Sequence, residues 1–171
     1  PLARHARVPI VSFAERPREV RDAREVVGGQ AWILTKMEKP QAMDGVDEIV
    51  ALSDVVMVAR GDLGVELPPE QVPVAQKRII RVARRMGRPV IVATQMLESM
   101  VHAPTPPRAE ASDVATAVFD GADAVMLPAQ TAVGDYPPEA VATMDRIVRS
   151  AAGDAGWDLP LPPAPPSPAA R

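Results

Sequence analysis

"VVMVARGDLGVELPPEQVPVAQKRII", residues 55–80, passes from an apolar, β-branched run into a short acidic loop and then into an amphipathic segment. A short apolar run of this kind reads as a strand buried on both faces. In "PEQVPVAQKRIIRVARRMG" (69–87), Val72, Ala75, Ile79, Val82 and Met86 fall on one helical face, and Gly87 stops the helix. The same strand-then-helix alternation recurs on both sides. "VPIVSF" (8–13), "AWILTKM" (31–37), "DVVMVAR" (54–60), "PVIVATQ" (89–95) and "AVML" (124–127) are expected strands. "PREVRDAREVVGG" (17–29), "PQAMDGVDEIVAL" (40–52), "PRAEASDVATAVFDG" (107–121) and "PPEAVATMDRIV" (137–148) are expected helices, each opening on Pro in its first turn. Five β/α units follow, the pattern of a parallel sheet or barrel.

Composition narrows the function classes. The chain has 171 residues, 47% hydrophobic and 24% charged, with a net charge of -3 and a pI near 5.4. That is one domain's worth of chain with no basic surface for nucleic acid or anionic lipid. Aromatic residues are 3%, too few for base-stacking platforms, so the core must be built from Val, Ile, Leu, Met and Ala. The chain has no Cys, which removes thiol catalysis and thiolate metal sites and fits a reducing, cytoplasmic setting. It contains neither an apolar run of about 18 residues nor a signal-peptide pattern at "PLARHARVPIV" (1–11), so no membrane role is expected. Residues 1–152 are expected to form the β/α domain. Residues 153–171, ending in "LPLPPAPPSPAAR" from Leu159, are expected to form an extended or disordered Pro-rich tail.

In parallel α/β folds the carboxyl ends of the strands carry the chemistry, because the loops there converge on one face. At the second strand's end stand Lys36 and Glu38, two residues apart and therefore on one side. At the third stands Asp62. Neighbouring strands lie about 5 Å apart, so Glu38 and Asp62 can share a divalent cation such as Mg²⁺ that keeps water and substrate oxygens on its other positions. A lysine beside it can stabilise an enolate or a transferring phosphoryl group. Taken singly, the carboxylates also read as solvated surface groups, Lys36 as a partner of Glu38, and "GDLG" as a turn with a capping Asp. Gly61 and Gly64 allow a close backbone approach, and the N–H groups before the following helix can receive an anion. Thr94, at the fourth strand's end, can bond a carboxylate, relay a proton or simply cap a turn. His5 and His102 have no metal-binding spacing and are read as surface residues.

Together "TKMEKPQAMDGVDEIV" (35–50), "VMVARGDLGVELP" (56–68), "VIVATQMLESM" (90–100), "PTPPRAEASDVATAVFDGADAVML" (104–127) and "TAVGDYPPEAV" (131–141) resemble pyruvate kinase in order and spacing. The resemblance implies an α/β fold, the last five units of a TIM-type eight-stranded (β/α) barrel. It implies phosphoryl transfer between phosphoenolpyruvate and ADP, giving pyruvate and ATP, with Mg²⁺ (or Mn²⁺) and usually K⁺. Lys36 matches the lysine that stabilises the enolate, Glu38 and Asp62 match the metal ligands, and Ala59, Arg60 and Gly61 match the segment whose backbone receives phosphoenolpyruvate. Thr94 matches the threonine near the substrate, and Arg108 falls in a segment found at a subunit contact. The family's first three barrel units, lid and regulatory domain have no counterpart here, and with them go the K⁺ ligands. A homo-oligomer or a complementing chain is therefore expected, with low activity for the chain alone. Two alternatives stay open: a metal-dependent carbon–carbon lyase acting on a 2-oxo acid, and a non-catalytic assembly relic. Three departures from the family pattern stand out. Lys39 adds a cation beside Glu38, Pro128 removes a backbone donor, and Gln130 removes a charge.

Overall fold

The computed structural model describes residues 8–154. Five strands alternate with helices: β1 (Ile10–Val11), α1 (Pro17–Val27), β2 (Leu34–Met37), α2 (Val46–Leu52), β3 (Val55–Ala59), α3 (Arg60–Glu66), α4 (Val72–Arg85), β4 (Val90–Ala93), α5 (Arg108–Asp120), β5 (Ala124–Val125), α6 (Pro128–Ala132) and α7 (Pro137–Ala152). His5 and the Pro-rich segment from Leu159 lie outside the described residues.

All four strand pairings are parallel, and the sheet order is the chain order, β1-β2-β3-β4-β5. Each unit adds its strand on the same side of the one before, so the sheet has no reversal point of the kind that defines a doubly wound fold. With right-handed crossovers, that progression places the helices on one face and leaves the other face as the inside of a barrel arc. The packing follows this division. Met37, Val56, Val58, Val90 and Val92 join Val20, Ile49, Ile79, Ile80 and Val114 of the helices in one large core. On the opposite face Leu34, Met57 and Ala93, with Val55, Ile91 and Met126, form a smaller cluster. The β-branched strands are hydrophobic on both sides, the outer side packing under the helices and the inner side packing strand against strand. Among the described residues, no helix is long and apolar enough to cross a membrane.

Local chemistry explains the helix limits. Glu19 accepts the Arg16 N–H at 2.6 Å at the start of α1, and Gly28, at φ 60°, ends that helix in the left-handed region that costs glycine nothing. The buried face of α4 contains Ala75, Ile79 and Val82, as the periodicity predicts, and is widened by Gln76, Ile80 and Ala83 because α4 also packs on α2, α3 and α5.

Two expectations are corrected. "PQAMDGVDEIVAL" is a 3₁₀ turn (Pro40–Met43) followed by α2, broken at Asp44 and Gly45. A Cβ at Gly45 would lie 3.1 Å from the Pro17 ring, so the break is where α1 crowds this backbone. The acidic loop after β3 is itself helical: Arg60–Glu66 forms α3, with Asp62 in its first turn.

At the amino ends of the strands, aspartates staple neighbours together. Ile33 N–H donates to Asp54 Oδ2 at 2.8 Å, and Val90 N–H donates to Asp123 Oδ2 at 2.8 Å. Each aspartate directly precedes its strand, β3 or β5, and ties it to the strand beside it. Arg24 and Arg88 stand 2.8 and 4.0 Å from Asp54, which fixes α1 and the α4–β4 turn to the same point.

Candidate active site

Register places Lys36 opposite Met57 on the inner face of the sheet, with Leu34 and Val55 beneath. Glu38 follows β2 and Asp62 sits one residue into α3 from Gly61, so adjacent strand ends bring the three side chains together. Lys36 Nζ lies 2.7 Å from Glu38 Oε2 and 3.6 Å from Asp62 Oδ2. The Glu38 side chain is fully buried, whereas Asp62 is 49% exposed. Glu38 Oε1 accepts the Phe13 N–H from the loop after β1. Its Oε2, although close to the ammonium, is buried without a well-directed hydrogen bond. The ammonium at 2.7 Å compensates its charge. Partial burial works to lower the Lys36 pKa, but the adjacent Glu38 and then Asp62 carboxylates outweigh it and hold the ammonium above the usual lysine value.

The substrate-side residues form a second, connected group. Ala59 is buried at the head of α3. Gly61 N–H donates to Thr94 Oγ1 at 2.6 Å, and the Thr94 hydroxyl donates to Ala93 O at 2.6 Å. A Cβ on Gly61 would meet Thr94 Oγ1 at 3.3 Å, a close approach that Thr94 would have to ease by a few tenths of an ångström. Thr94 has φ 65° and is followed by Gln95 and Leu97 at 55° and 52°. A β-branched residue in that region is strained, a feature that concentrates at functional sites. The Arg60 side chain turns away from Lys36: its Nη2 and Nε donate to Thr94 O at 2.8 and 3.2 Å, and its Nη1 pairs with Asp113 Oδ1 at 2.7 Å. Arg60 thus braces the turn that presents Thr94.

The departures from the family pattern are accommodated locally. Pro128 is the first residue of α6, where a missing N–H costs no helical bond. Gln130 is fully buried, with Nε2 3.4 Å from Leu97 O and 3.3 Å from Glu98 Oε2, a position where a second carboxylate would face Glu98. Lys39 pairs with Glu66. Arg108 lies exposed at the start of α5, and exposed His102 stands 3.0 Å from Asp135, outside the cluster. A cavity of about 470 Å³ between α3, α4 and α5 shares Arg60, Gln95 and Asp113 with the second group but none of Lys36, Glu38 and Asp62, and its Lys77–Asp120 pair is mutually satisfied.

Strand-end reasoning missed Phe13, Glu66 and Asp113. The first could have been found by applying the same rule to β1, since Phe13 follows it; the other two act only through partners distant in sequence.

Comparison with known proteins bears on the whole arrangement. The family model described as "Pyruvate kinase, barrel domain" matches residues 4–141. A pyruvate kinase of Methylorubrum extorquens is 61% identical over 145 residues, covering 85% of this chain and 30% of the relative. One from Agrobacterium vitis is 62% identical over 138 residues, covering 81% and 29%, and one from Mycobacterium tuberculosis is 55% identical over 141 residues, covering 81% and 30%. The chain therefore spans about three-tenths of the length of these curated relatives. Five parallel strands in winding order and a family match across most of the described residues agree, and the chain belongs to the pyruvate kinase family, within its barrel domain.

Proposed function

We propose that this chain supplies part of a pyruvate kinase active site, in which a phosphoryl group passes between phosphoenolpyruvate and ADP. The observation that carries the reading is the convergence at adjacent strand ends of buried Glu38 and half-exposed Asp62 on one lysine, with Lys36 Nζ 2.7 Å from Glu38 Oε2 and 3.6 Å from Asp62 Oδ2. Among the described residues no group of three or more His, Asp or Glu side chains is arranged to hold a metal. A cation here has two carboxylates and must complete its shell with water and substrate oxygens, which suits Mg²⁺ or Mn²⁺. Glu38 and Asp62 are the residues that fit it, and when bound it supplies Lewis-acid polarisation of substrate oxygens.

The protein's own groups do the rest. Lys36 keeps its proton across the working pH range and offers a fixed positive charge where negative charge develops on the enolate and phosphoryl oxygens. The Thr94 hydroxyl already donates to Ala93 O, so it can pass a proton to the enolate carbon only after its O–H turns toward the substrate. The Gly61 N–H is taken by Thr94, so an incoming anion that uses this donor must displace the threonine oxygen.

Five strands form an arc, and a TIM-type barrel closes with eight. Robust turnover is therefore expected only when further barrel units cover β1 and β5, as a second chain or within a longer one. Calorimetric titration with Mg²⁺ and Mn²⁺ tests the cation site: Glu38→Gln and Asp62→Asn should each weaken binding at least about tenfold. Wild-type affinity in both variants would overturn the assignment. ATP formation from phosphoenolpyruvate and ADP, appearing on addition of a fragment carrying the missing units, tests the reaction.

A further inference from the structure

Lys39 follows Glu38 directly, and proximity alone would make its charge an antagonist of any cation held there. Its geometry points elsewhere. The ammonium pairs with Glu66 on the last turn of α3, the helix whose first turn carries Asp62. It also stands 5.6 Å above the centre of the Phe13 ring, within the range of a cation–π contact. Phe13 in turn belongs to the loop after β1 and donates its N–H to Glu38 Oε1. It does so at φ 58°, a left-handed conformation that an aromatic residue keeps only when its surroundings hold it. The ring is 61% exposed, so core packing does not supply that hold. The Phe13 backbone bonds Glu38, and its ring carries the ammonium of Lys39.

We infer that Lys39 is a positioning residue: it clamps the loop after β1 to α3 across the end of β2 and so sets the placement of Glu38 and Asp62. The inference rests on the reading that these two carboxylates bind a divalent cation. Pairing with Glu66 neutralises the Lys39 charge outside the carboxylate pair, while the alkyl stem and ammonium fix the elements on either side. The two views of Lys39 differ in sign. A through-space antagonist strengthens cation binding when removed; a clamp weakens it.

The test uses the 171-residue chain, with Mg²⁺ and Mn²⁺ titrated by calorimetry. Lys39→Met should weaken binding about tenfold, as expected for an outer partner of a metal ligand, and Lys39→Arg, which keeps both the charge and the stacking, should restore it. Phe13→Leu and Glu66→Gln should each weaken it. The double variant Lys39→Met/Glu66→Gln should be no worse than Lys39→Met alone. A second readout needs no metal: hydrogen exchange at the Phe13 amide should accelerate in Lys39→Met, while the Ile33 amide bonded to Asp54 keeps its protection. Unchanged or tighter binding in Lys39→Met, with Glu38→Gln still defective, overturns the clamp alone. Wild-type affinity in Glu38→Gln and Asp62→Asn overturns the cation site and the clamp with it.

Discussion

The two ends of one sheet use the same kind of side chain for opposite purposes. At the amino ends, Asp54 and Asp123 each accept a backbone N–H from a neighbouring strand at 2.8 Å, and Asp54 is further paired with Arg24. At the carboxyl ends, buried Glu38 and half-exposed Asp62 share a single cation, the Lys36 ammonium. A carboxylate bonded to the backbone of a neighbouring strand stabilises the fold; two carboxylates that share one ammonium at an open strand end leave net negative charge for a second cation. Barrel enzymes in general separate stability from chemistry along this axis, and here the two ends differ in how their carboxylates are partnered. The strained residues follow the same division. Phe13, Thr94, Gln95 and Leu97, the non-glycine residues at positive φ among the described residues, all lie beyond the carboxyl ends of β1 and β4.

The contrast can be broken most directly at Lys36. In an enzyme completed with the missing units, the proposed role of the Lys36 charge in the transition state predicts that Lys36→Met costs about a hundredfold or more in rate. Because the variant also leaves buried Glu38 without its counter-charge, some loss of stability is expected in urea, and the rate loss should persist under conditions where the variant is fully folded. A large loss of stability with turnover retained would put Lys36 in the structural class with Asp54.

Asp54→Ala should do the converse. Leaving the Ile33 N–H and Arg24 without their acceptor should destabilise the fold by about 1–3 kcal/mol, measured by urea unfolding, with Mg²⁺ affinity unchanged. The pH dependence sharpens the point. Burial alone would raise the Asp54 pKa, but the Ile33 N–H and Arg24 outweigh it and hold the carboxyl below its usual value. A carboxyl lowered in the folded state contributes stability above its unfolded pKa of about 3.9, and that contribution fades as pH falls toward the folded value. The parent should therefore lose stability below about pH 4 more steeply than Asp54→Asn does. Parallel acid profiles for the two would remove Asp54 from the account.

Asp123→Ala should be milder, about 1 kcal/mol, because its acceptor role at β5 involves a single backbone donor from β4. The smallest effect is expected at Gly61→Ala. The added methyl meets Thr94 Oγ1 at 3.3 Å, and relief needs only a few tenths of an ångström from an already strained turn. A stability change within about 0.5 kcal/mol, together with a measurable shift of the Thr94 methyl resonance, is the expected signature. A full loss of folding would show that the turn after β4 cannot give.

Much of this was legible in the residues. The strands announced themselves as β-branched runs and the helices by apolar spacing between Pro and Gly, because both signals are local. Lys36, Glu38 and Asp62 were found by asking which chemistry stands at strand ends, a question that needs only strand adjacency and direction. Less local features were misread. Arg60–Glu66 looked like a loop because two glycines and a short length hide a helix that is held by packing on α4 and β4. The break at Gly45 was hidden because its cause, Pro17, lies on another helix.

The sequence by itself determined the β/α alternation, the residue types at the strand ends and, through its motifs, the family. Those follow from periodicity, backbone preferences and ordered spacing, all of which act along the chain. Only the tertiary structure decided which atoms are already spent. Phe13 N–H reaches Glu38 across 25 positions, Lys39 reaches Glu66 across 27, Gly61 N–H reaches Thr94 across 33 and Arg60 reaches Asp113 across 53. A hydrogen bond is made or refused within a fraction of an ångström, and no local pattern carries that distance. Whether Glu38 Oε2 remains open to a ligand is therefore settled by how the loop after β1, the end of β2 and α3 come together.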